Sequence, residues 1–324
     1  MKYRTLPGTD LQLSAIGFGC WAIGKTWWGD DVDDPTSIDA VHAALDHGIN
    51  WFDTAPLYGH GHADEILAQA LAGRRHEVVI ATKVGIRWDG EGAHARSDLR
   101  PDHVVADCEA SLKRLGLDTI PLLQVHWPCQ SAAPIDATLE ALTQLRQAGK
   151  IRWFGVCNYN AETLTDILKI APEGLACLQT PFSMLRREFN HGLRDVVAPE
   201  PSAPRLGVLA YETLARGLLT GKYRGLLPPT FPDTDLRARD DRFQQPLWAK
   251  IQPLVRALVV VAERLHVPPA ALAVAWACRQ PGISVAIVGA KRRAQVEEHV
   301  RALELLARER VWQALAPHIE ACRP

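Results

Sequence analysis

Two short apolar runs in this chain end in residues that a core cannot use: Val78-Val79-Ile80-Ala81-Thr82 stops at Lys83, and Leu122-Leu123-Gln124-Val125 stops at His126. A third run, Asn50-Trp51-Phe52, stops at Asp53, and Tyr58 follows five positions later on a turn held between Pro56 and Gly59. A phenol ionises near pH ~10, too high for proton transfer at neutral pH. One cation at ~4 Å in an effective dielectric of ~20 is worth ~4 kcal/mol, about a thousandfold in acidity. Lys83 beside Tyr58 therefore brings the phenol toward the range in which a general acid works well. Asp53 pairs with Lys83 and aims it, and His126 donates a hydrogen bond that orients a substrate carbonyl. Such a site protonates an oxygen while something else attacks the carbon. Singly, each residue has a plainer reading. A lone strand-end lysine is more often a solvated terminus, a lone histidine beside Trp127 more often a core residue, and Asp and Tyr near a turn are ordinary caps. One shared cavity would make the four harder to dismiss.

The elements that must bring them together follow a repeating order. Strands are expected at Ile16–Cys20, Asn50–Asp53, Val78–Lys83, Leu122–His126, Ile151–Cys157, Leu178–Thr180, Gly207–Tyr211 and Val285–Val288. A helix starts at Asp34-Pro35-Thr36-Ser37, with Pro where its missing N–H is harmless, and Gly48 ends it. Further amphipathic helices are expected near Asp64–Leu71, Pro101–Leu115, Pro134–Ala148, Ala161–Ile170, Leu272–Arg279 and Ala294–Leu305. Short apolar runs alternating with helical periods imply a parallel sheet buried on both faces. Eight such repeats in this length read as a (β/α)8 TIM barrel. An open doubly wound sheet fits less well, since no G-x-G-x-x-G follows the first strand. Leu6-Pro7-Gly8-Thr9-Asp10 reads as the turn of an N-terminal hairpin, and the segment after Val311 as an extra C-terminal helix. No linker divides residues 1–324, so a single domain is expected. Residues 188 to 205 read as a short helix and an irregular link. The Pro-rich stretch from 222 to 246 reads as a lid, a binding loop or disorder. In a barrel, strand ends face one mouth, which adds Asn158, Gln179 and Tyr211 to the four residues above.

Composition narrows the classes. Hydrophobic residues make up 47% and charged residues 23%, as in a well-cored globular protein. A net charge of −1 provides no field to draw in nucleic acid or an anionic membrane. No apolar run reaches the ~18 residues of a membrane span, and the start lacks the apolar core of a signal peptide. The seven cysteines are scattered and form no C-x-x-C pair, which argues against a disulfide framework or a zinc site. Free thiols in a reducing compartment, by default the cytoplasm, are the expectation. His60, His62 and Asp64 invite a metal reading, but their spacing is not distinctive and no metal is expected.

Several stretches together resemble the aldo-keto reductases, over nearly the whole chain. Asp53-Thr54-Ala55-Pro56-Leu57-Tyr58-Gly59 is similar to that family's D-T-A-x-x-Y-G segment. The strand ending at Lys83 resembles its catalytic-lysine strand, and Leu122-Leu123-Gln124-Val125-His126-Trp127-Pro128 resembles L-x-x-x-H-W-P. Gly149-Lys150-Ile151-Arg152-Trp153-Phe154-Gly155-Val156-Cys157-Asn158-Tyr159 resembles G-K-I-R-x-x-G-V-S-N-F/Y. The resemblance implies a barrel carbonyl reductase dependent on NADP(H), with NAD(H) possible, and a catalytic tetrad of Asp53, Tyr58, Lys83 and His126 with Tyr58 as proton donor. By position it implies that Asn158 and Gln179 hold the nicotinamide carboxamide and Tyr211 stacks on the ring. Leu214 and Gly217 would lie along the pyrophosphate. The segment from Gly289 through Lys291, Arg292, Gln295, Glu298 and His299 would hold the adenosine end. There a basic triplet opens a helix, which suits an anion and favours NADPH.

Three departures stand out. Cys157 replaces the family's usual Ser, Glu212-Thr213 replaces Ser-Pro beside the expected pyrophosphate, and His299 replaces Asn. Unless Glu212 points away or pairs with Arg216 or Lys222, it weakens cofactor binding. Ten tryptophans are many for this length. Trp21, Trp88 and Trp127 are candidates for the substrate wall, alongside Trp27 and Trp28, and suit small apolar or sugar-like carbonyl compounds. Two other classes stay open: a nucleotide-sensing module like the potassium-channel β subunits, and a barrel hydrolase or lyase using Asp53 and His126. The oligomeric state is not legible.

Overall fold

The computed structural model describes residues 1–28, 33–88, 95–129, 135–170, 174–200 and 203–322. Pro134, the expected start of a helix, and residues 201 and 202 of the expected irregular link lie outside the described residues. Eight strands close into a barrel: β1 (Ile16–Gly19), β2 (Trp51–Asp53), β3 (Val79–Val84), β4 (Ile120–Val125), β5 (Ile151–Cys157), β6 (Leu175–Pro181), β7 (Gly207–Tyr211) and β8 (Val285–Gly289). Each strand pairs in parallel with the next, and β8 returns to pair with β1. The chain is a (β/α)8 barrel.

Successive residues of a strand face opposite sides, so every second residue points into the barrel. Outward residues such as Phe18, Phe52, Ile80, Leu123, Phe154 and Val208 join the surrounding helices in the main core. Inward residues are layered. Trp51, Ala81, Leu122, Leu209 and Val285 pack with Leu6, Leu11 and Leu13, which belong to the N-terminal hairpin of Tyr3–Thr5 and Gln12–Ser14 and its turn. The hairpin thus plugs the end where the strands start. Two residues further along β2, β3 and β4 the inward positions become Asp53, Lys83 and Gln124, at the end left open.

The helices are α1 (Asp34–Asp46), α2 (His62–Ala70), α3 (Pro101–Leu115), α4 (Ile135–Gln147), α5 (Ala161–Ile170), α6 (Leu193–Val197), α7 (Leu247–Leu265), α8 (Pro269–Cys278), α9 (Arg293–Val300) and α10 (Glu309–Ala321). Helix α1 begins as its sequence predicts, with the Asp33 carboxylate accepting from the Thr36 N–H at 2.8 Å and Pro35 in the first turn. The longest helix, α7, is absent from the sequence expectation. It carries Pro253 in its interior, a residue that removes an intrahelical donor and reads as a break. The extra C-terminal helix is α10, packed on the outside of α7, where the Cys322 thiol just past its end donates to the Lys250 carbonyl oxygen. A small hairpin of Ile86–Arg87 and Arg96–Ser97, also unforeseen, follows β3. Among the described residues no single helix is long and apolar enough to cross a membrane.

Candidate active site

Asp53 is the last residue of β2, Lys83 the last but one of β3, and His126 follows β4 directly. Tyr58 sits on the turn after β2, where its N–H donates to the Ala55 carbonyl oxygen. That turn is pressed against Gly24. A Cβ on Gly59, whose φ is +65°, would lie 2.2 Å from the Gly24 carbonyl oxygen, so only glycine lets the two loops meet. The barrel draws the four side chains together. The Lys83 ammonium donates to Asp53 Oδ2 at 2.6 Å, to the Thr54 carbonyl oxygen at 3.0 Å and to the Tyr58 hydroxyl at 3.1 Å. The His126 ring stands edge-on to the Tyr58 ring at 5.9 Å.

Burial decides the protonation states. Desolvation alone would lower the Lys83 pKa, but the Asp53 carboxylate and the adjoining phenol outweigh it and hold the ammonium above its ordinary range. His126 is pushed well below its ordinary value by burial, with Lys83 adding to the effect, so its imidazole is neutral. Tyr58 corrects an expectation. Lys83 does act to acidify it, yet loss of hydration, reinforced by the Asp53 carboxylate, raises the phenol above its ordinary pKa instead. A single ion pair was the wrong picture, because Asp53 cancels much of the charge that Lys83 brings. The phenol is therefore a protonated donor, well suited to an oxygen that becomes more basic than phenolate.

A cavity of about 1050 Å³ opens over these groups. Asp53, Tyr58 and His126 line it, with Trp21, Trp28 and Trp127 beside them. Trp21 stacks near Tyr58 at 6.0 Å and meets Trp28 edge-on at 5.1 Å. Asn158, Gln179, Tyr211, Leu214 and Gly217 line it as well, as do Gly289, Lys291, Arg292, Gln295, Glu298 and His299. Trp88 is the exception. It stacks on His60 at 5.1 Å and is not part of the cavity wall, because the hairpin after β3 carries the chain aside.

The segment from Gly289 to His299 differs in detail from the basic helix start expected there. The Gln295 side-chain oxygen takes the Lys291 and Arg292 backbone N–H groups at 2.7 and 3.2 Å, and so caps α9 itself. Arg293 turns away to Asp39 and Asp46 at 2.7 and 3.2 Å. Lys291 and Arg292 line the wall. His299, 4% exposed, is neutral, pushed down to about 4 by burial.

The other two departures have structural answers. Glu212 pairs with Arg216 at 2.9 Å and Arg242 at 3.3 Å, so its charge is compensated beside the cavity. Cys157 points into the barrel, fully buried, and its thiol donates to Gln124 Oε1 at 3.6 Å instead of reaching the cavity. The three candidates for a metal site have separate partners: His60 lies on Trp88, His62 meets Asp34 at 2.9 Å, and Asp64 binds Thr54 and Arg114.

Several site residues escape the sequence reading. Tyr223, Phe231, Leu236 and Arg237, from the Pro-rich stretch 222–246, cover the cavity. That stretch is tied across it, with the Leu236 N–H donating to the Trp27 carbonyl oxygen at 3.1 Å. The Lys291 ammonium donates to the Trp28 carbonyl oxygen at 2.6 Å. Gln124 is buried beneath the site and donates to Asp53. Its signal was present: a polar residue at the inward position two before His126.

A phenol kept protonated, a cation fixed beside it and an uncharged imidazole can deliver a proton to an oxygen held between them. In the mouth of a barrel, beside a cavity whose wall also carries two cations, that equipment suits a reaction in which a carbonyl oxygen takes up a proton. The chain belongs to the aldo/keto reductase family, whose family model matches residues 15–320. It is 38% identical to the aldo-keto reductase YhdN of Bacillus subtilis, over 92% of this chain and 87% of that one. The NADH-specific methylglyoxal reductase of Escherichia coli is 31% identical, with 94% of each chain covered. Among solved structures, a glycerol dehydrogenase from Gluconobacter oxydans superposes with a TM-score of 0.82 at 36% identity, covering 98% of this chain and 95% of that one.

Proposed function

We propose that this protein is an NAD(P)H-dependent reductase of small aldehydes and ketones in which Tyr58 supplies the proton. The observation that carries the reading is the Lys83 ammonium, held by Asp53 at 2.6 Å and Thr54 at 3.0 Å and reaching the Tyr58 hydroxyl at 3.1 Å. A bound nicotinamide supplies the hydride. A carbonyl oxygen between Tyr58 and His126 accepts a hydrogen bond from the neutral imidazole and the proton from the phenol, while Lys83 stabilises the phenolate that is left. Asp53 holds the ammonium and is not itself a base. The reverse oxidation uses the same groups with Tyr58 as acceptor.

The residues along the cavity fit a dinucleotide. Its volume is just above the usual range for a drug-sized ligand, and its wall carries both the polar groups around Tyr58 and the cations Lys291 and Arg292. Asn158 donates one N–H to the His126 carbonyl oxygen at 3.0 Å and accepts from Tyr211 at 2.8 Å, leaving a second N–H for a carboxamide. Gln179 lines the cavity as well, while its amide nitrogen donates to Asp53. Lys291 and Arg292 favour a 2′-phosphate, hence NADPH, although one relative is named as NADH-specific. The indole wall of Trp21, Trp28 and Trp127 favours small substrates with both apolar and hydroxylated faces, and the relatives named for methylglyoxal and glycerol agree with that. The seven free thiols suit a reducing compartment, and the cytoplasm is the location this reading assigns.

Tyr58→Phe tests the mechanism. Turnover of aldehydes with NADPH is expected to fall at least about a thousandfold, while the NADPH dissociation constant, followed by fluorescence, changes by no more than about twofold. Wild-type-like turnover in that variant would sink the reading. Lys291→Ala with Arg292→Ala tests the cofactor preference. The NADPH dissociation constant is expected to rise about tenfold or more with little change for NADH, and an equal change in both removes the preference.

A further inference from the structure

We propose that Gln124 is a positioning residue for the reaction: it holds the Asp53 carboxylate so that Lys83 keeps one N–H on Tyr58. The inference rests on the reading of Tyr58 and Lys83 above and adds a residue that does not line the cavity.

Gln124 is completely buried on the inner face of β4, one step below His126 and one above Leu122. A buried amide is costly unless its hydrogen bonds are made. Here they are made in one orientation. Gln124 Oε1 accepts from Gln179 Nε2 at 3.2 Å and faces the thiols of Cys157 and Cys177 at 3.6 and 3.8 Å. Burial raises both thiols above their ordinary pKa, so they stay protonated and serve only as donors on this acceptor. That leaves Gln124 Nε2 to face Asp53 Oδ1, at 3.2 Å. Cys157, which stands where resemblance led us to expect serine, thus has a use: it orients the amide.

The effect on Asp53 follows from counting donors. Lys83 has three N–H groups and three acceptors, namely Asp53 Oδ2, the Thr54 carbonyl and Tyr58. Asp53 Oδ1 is taken by Gln179 at 2.7 Å and Gln124 at 3.2 Å. A carboxylate without those donors, in a weakly polar interior, turns its second oxygen toward the nearest cation. Oδ1 would then claim a second N–H of Lys83, and the one to be lost is the longest, that on Tyr58. Gln179 shares the task, but it also lines the cavity, where a ligand can engage it. Gln124 is the donor that cavity contents do not reach.

The titratable groups facing this point are Asp53 on β2, Lys83 on β3, Cys157 on β5 and Cys177 on β6, with Tyr58 and His126 above them. Two variants separate positioning from filling of space. Gln124→Met keeps the volume and removes the donor. Its kcat for aldehyde reduction is expected to fall about tenfold to a hundredfold, with the aldehyde KM and the NADPH dissociation constant nearly unchanged. The basic limb of its pH profile for alcohol oxidation is expected to move upward by about half a pH unit or more, because Lys83 stabilises the phenolate less. Gln124→Glu restores a donor only while protonated, and a second carboxyl beside Asp53 is driven to hold its proton. Its reduction rate is expected to approach wild type at acid pH and to fall as pH rises, a step absent from wild type and from Gln124→Met. A Gln124→Met enzyme with wild-type kcat and an unmoved basic limb overturns the proposal, as does a Gln124→Glu enzyme without the new step. If Gln124→Met does not fold, Gln124→Glu decides alone. Tyr58→Phe measured alongside distinguishes the two levels. Turnover in that variant removes the parent reading, whereas a dead Tyr58→Phe with an indifferent Gln124→Met removes only the positioning role.

Discussion

Lys83 spends all three of its N–H groups within the site, and this saturation sets what pH can do to the enzyme. Reduction consumes a protonated phenol. Tyr58 has its pKa raised by burial, so its protonated form persists beyond the ordinary limit near ~10. Lys83 is raised as well, by Asp53 and Tyr58 against the pull of burial, and stays charged over the same range. His126, pushed down by burial, has already lost its proton at neutral pH. None of the three changes charge between about pH 6 and about pH 9. At saturating substrate, kcat for reduction is therefore expected to be flat across that interval, while alcohol oxidation, which needs Tyr58 as a base, climbs with pH. Stopped-flow or steady-state profiles with a fixed cofactor check it. A sigmoidal step in reduction near pH 6.5 that disappears in His126→Asn would show that the imidazole titrates there, contrary to its burial.

At the scale of elements, what is legible depends on whether the reason for a residue is local. Asp53, Lys83 and His126 stand out because a charged or polar group at an inward position ends an otherwise apolar run, and burial penalises it unless it is used. The same alternation makes the eight strands readable, two of them, β5 and β7, to the residue. Gln124 sits in an equally apolar run, but a neutral amide carries no charge to draw notice, and its partners come from β2, β5 and β6. Helix α7 is hidden by Pro253 and by the unbroken apolar run from Ala257 to Ala262, which has no clear helical stripe. The stretch 222–246 reads as irregular from its prolines and acids. Its order comes from contacts far away in sequence, through Leu236 to Trp27 and through the Arg237 guanidinium lying over the Trp28 ring at 5.7 Å. Local order inside it is modest: Asp235 and Asp240 each accept from the backbone two residues on, at 2.9 and 3.0 Å, and start two short turns. The lowering of the Tyr58 pKa, expected from one neighbour, failed for the same reason. Desolvation is a property of the whole enclosure.

For the molecule as a whole, the site depends on how the barrel packs beneath it, and Gly17 and Trp51 meet at the plugged end. Both face inward, two residues below the level of Asp53, and the Trp51 indole lies across the space where a Gly17 side chain would be. A Cβ on Gly17 would stand 2.1 Å from the ring, while the indole N–H is fixed by a 3.0 Å bond to the Ser14 carbonyl oxygen in the hairpin plug. The ring is fully buried. Overpacking of this kind costs about 1–3 kcal/mol, and breaking the buried indole bond adds about 1 kcal/mol. Gly17→Ala is therefore expected to lower the unfolding free energy by about 2–4 kcal/mol in urea titrations. Trp51→Phe in the same chain is expected to return part of that loss, because the smaller ring makes room for the methyl. The two changes would thus be strongly non-additive. Trp51 is also two residues from Asp53 on the same inner face, so a displaced indole presses on the carboxylate that holds Lys83. Aldehyde turnover in Gly17→Ala is expected to fall at temperatures where the protein is still folded, and to recover with stability in the double variant. Additive losses, or a Gly17→Ala protein as stable as wild type, would mean that the barrel floor yields, and that Asp53 is held by its own hydrogen bonds without support from below.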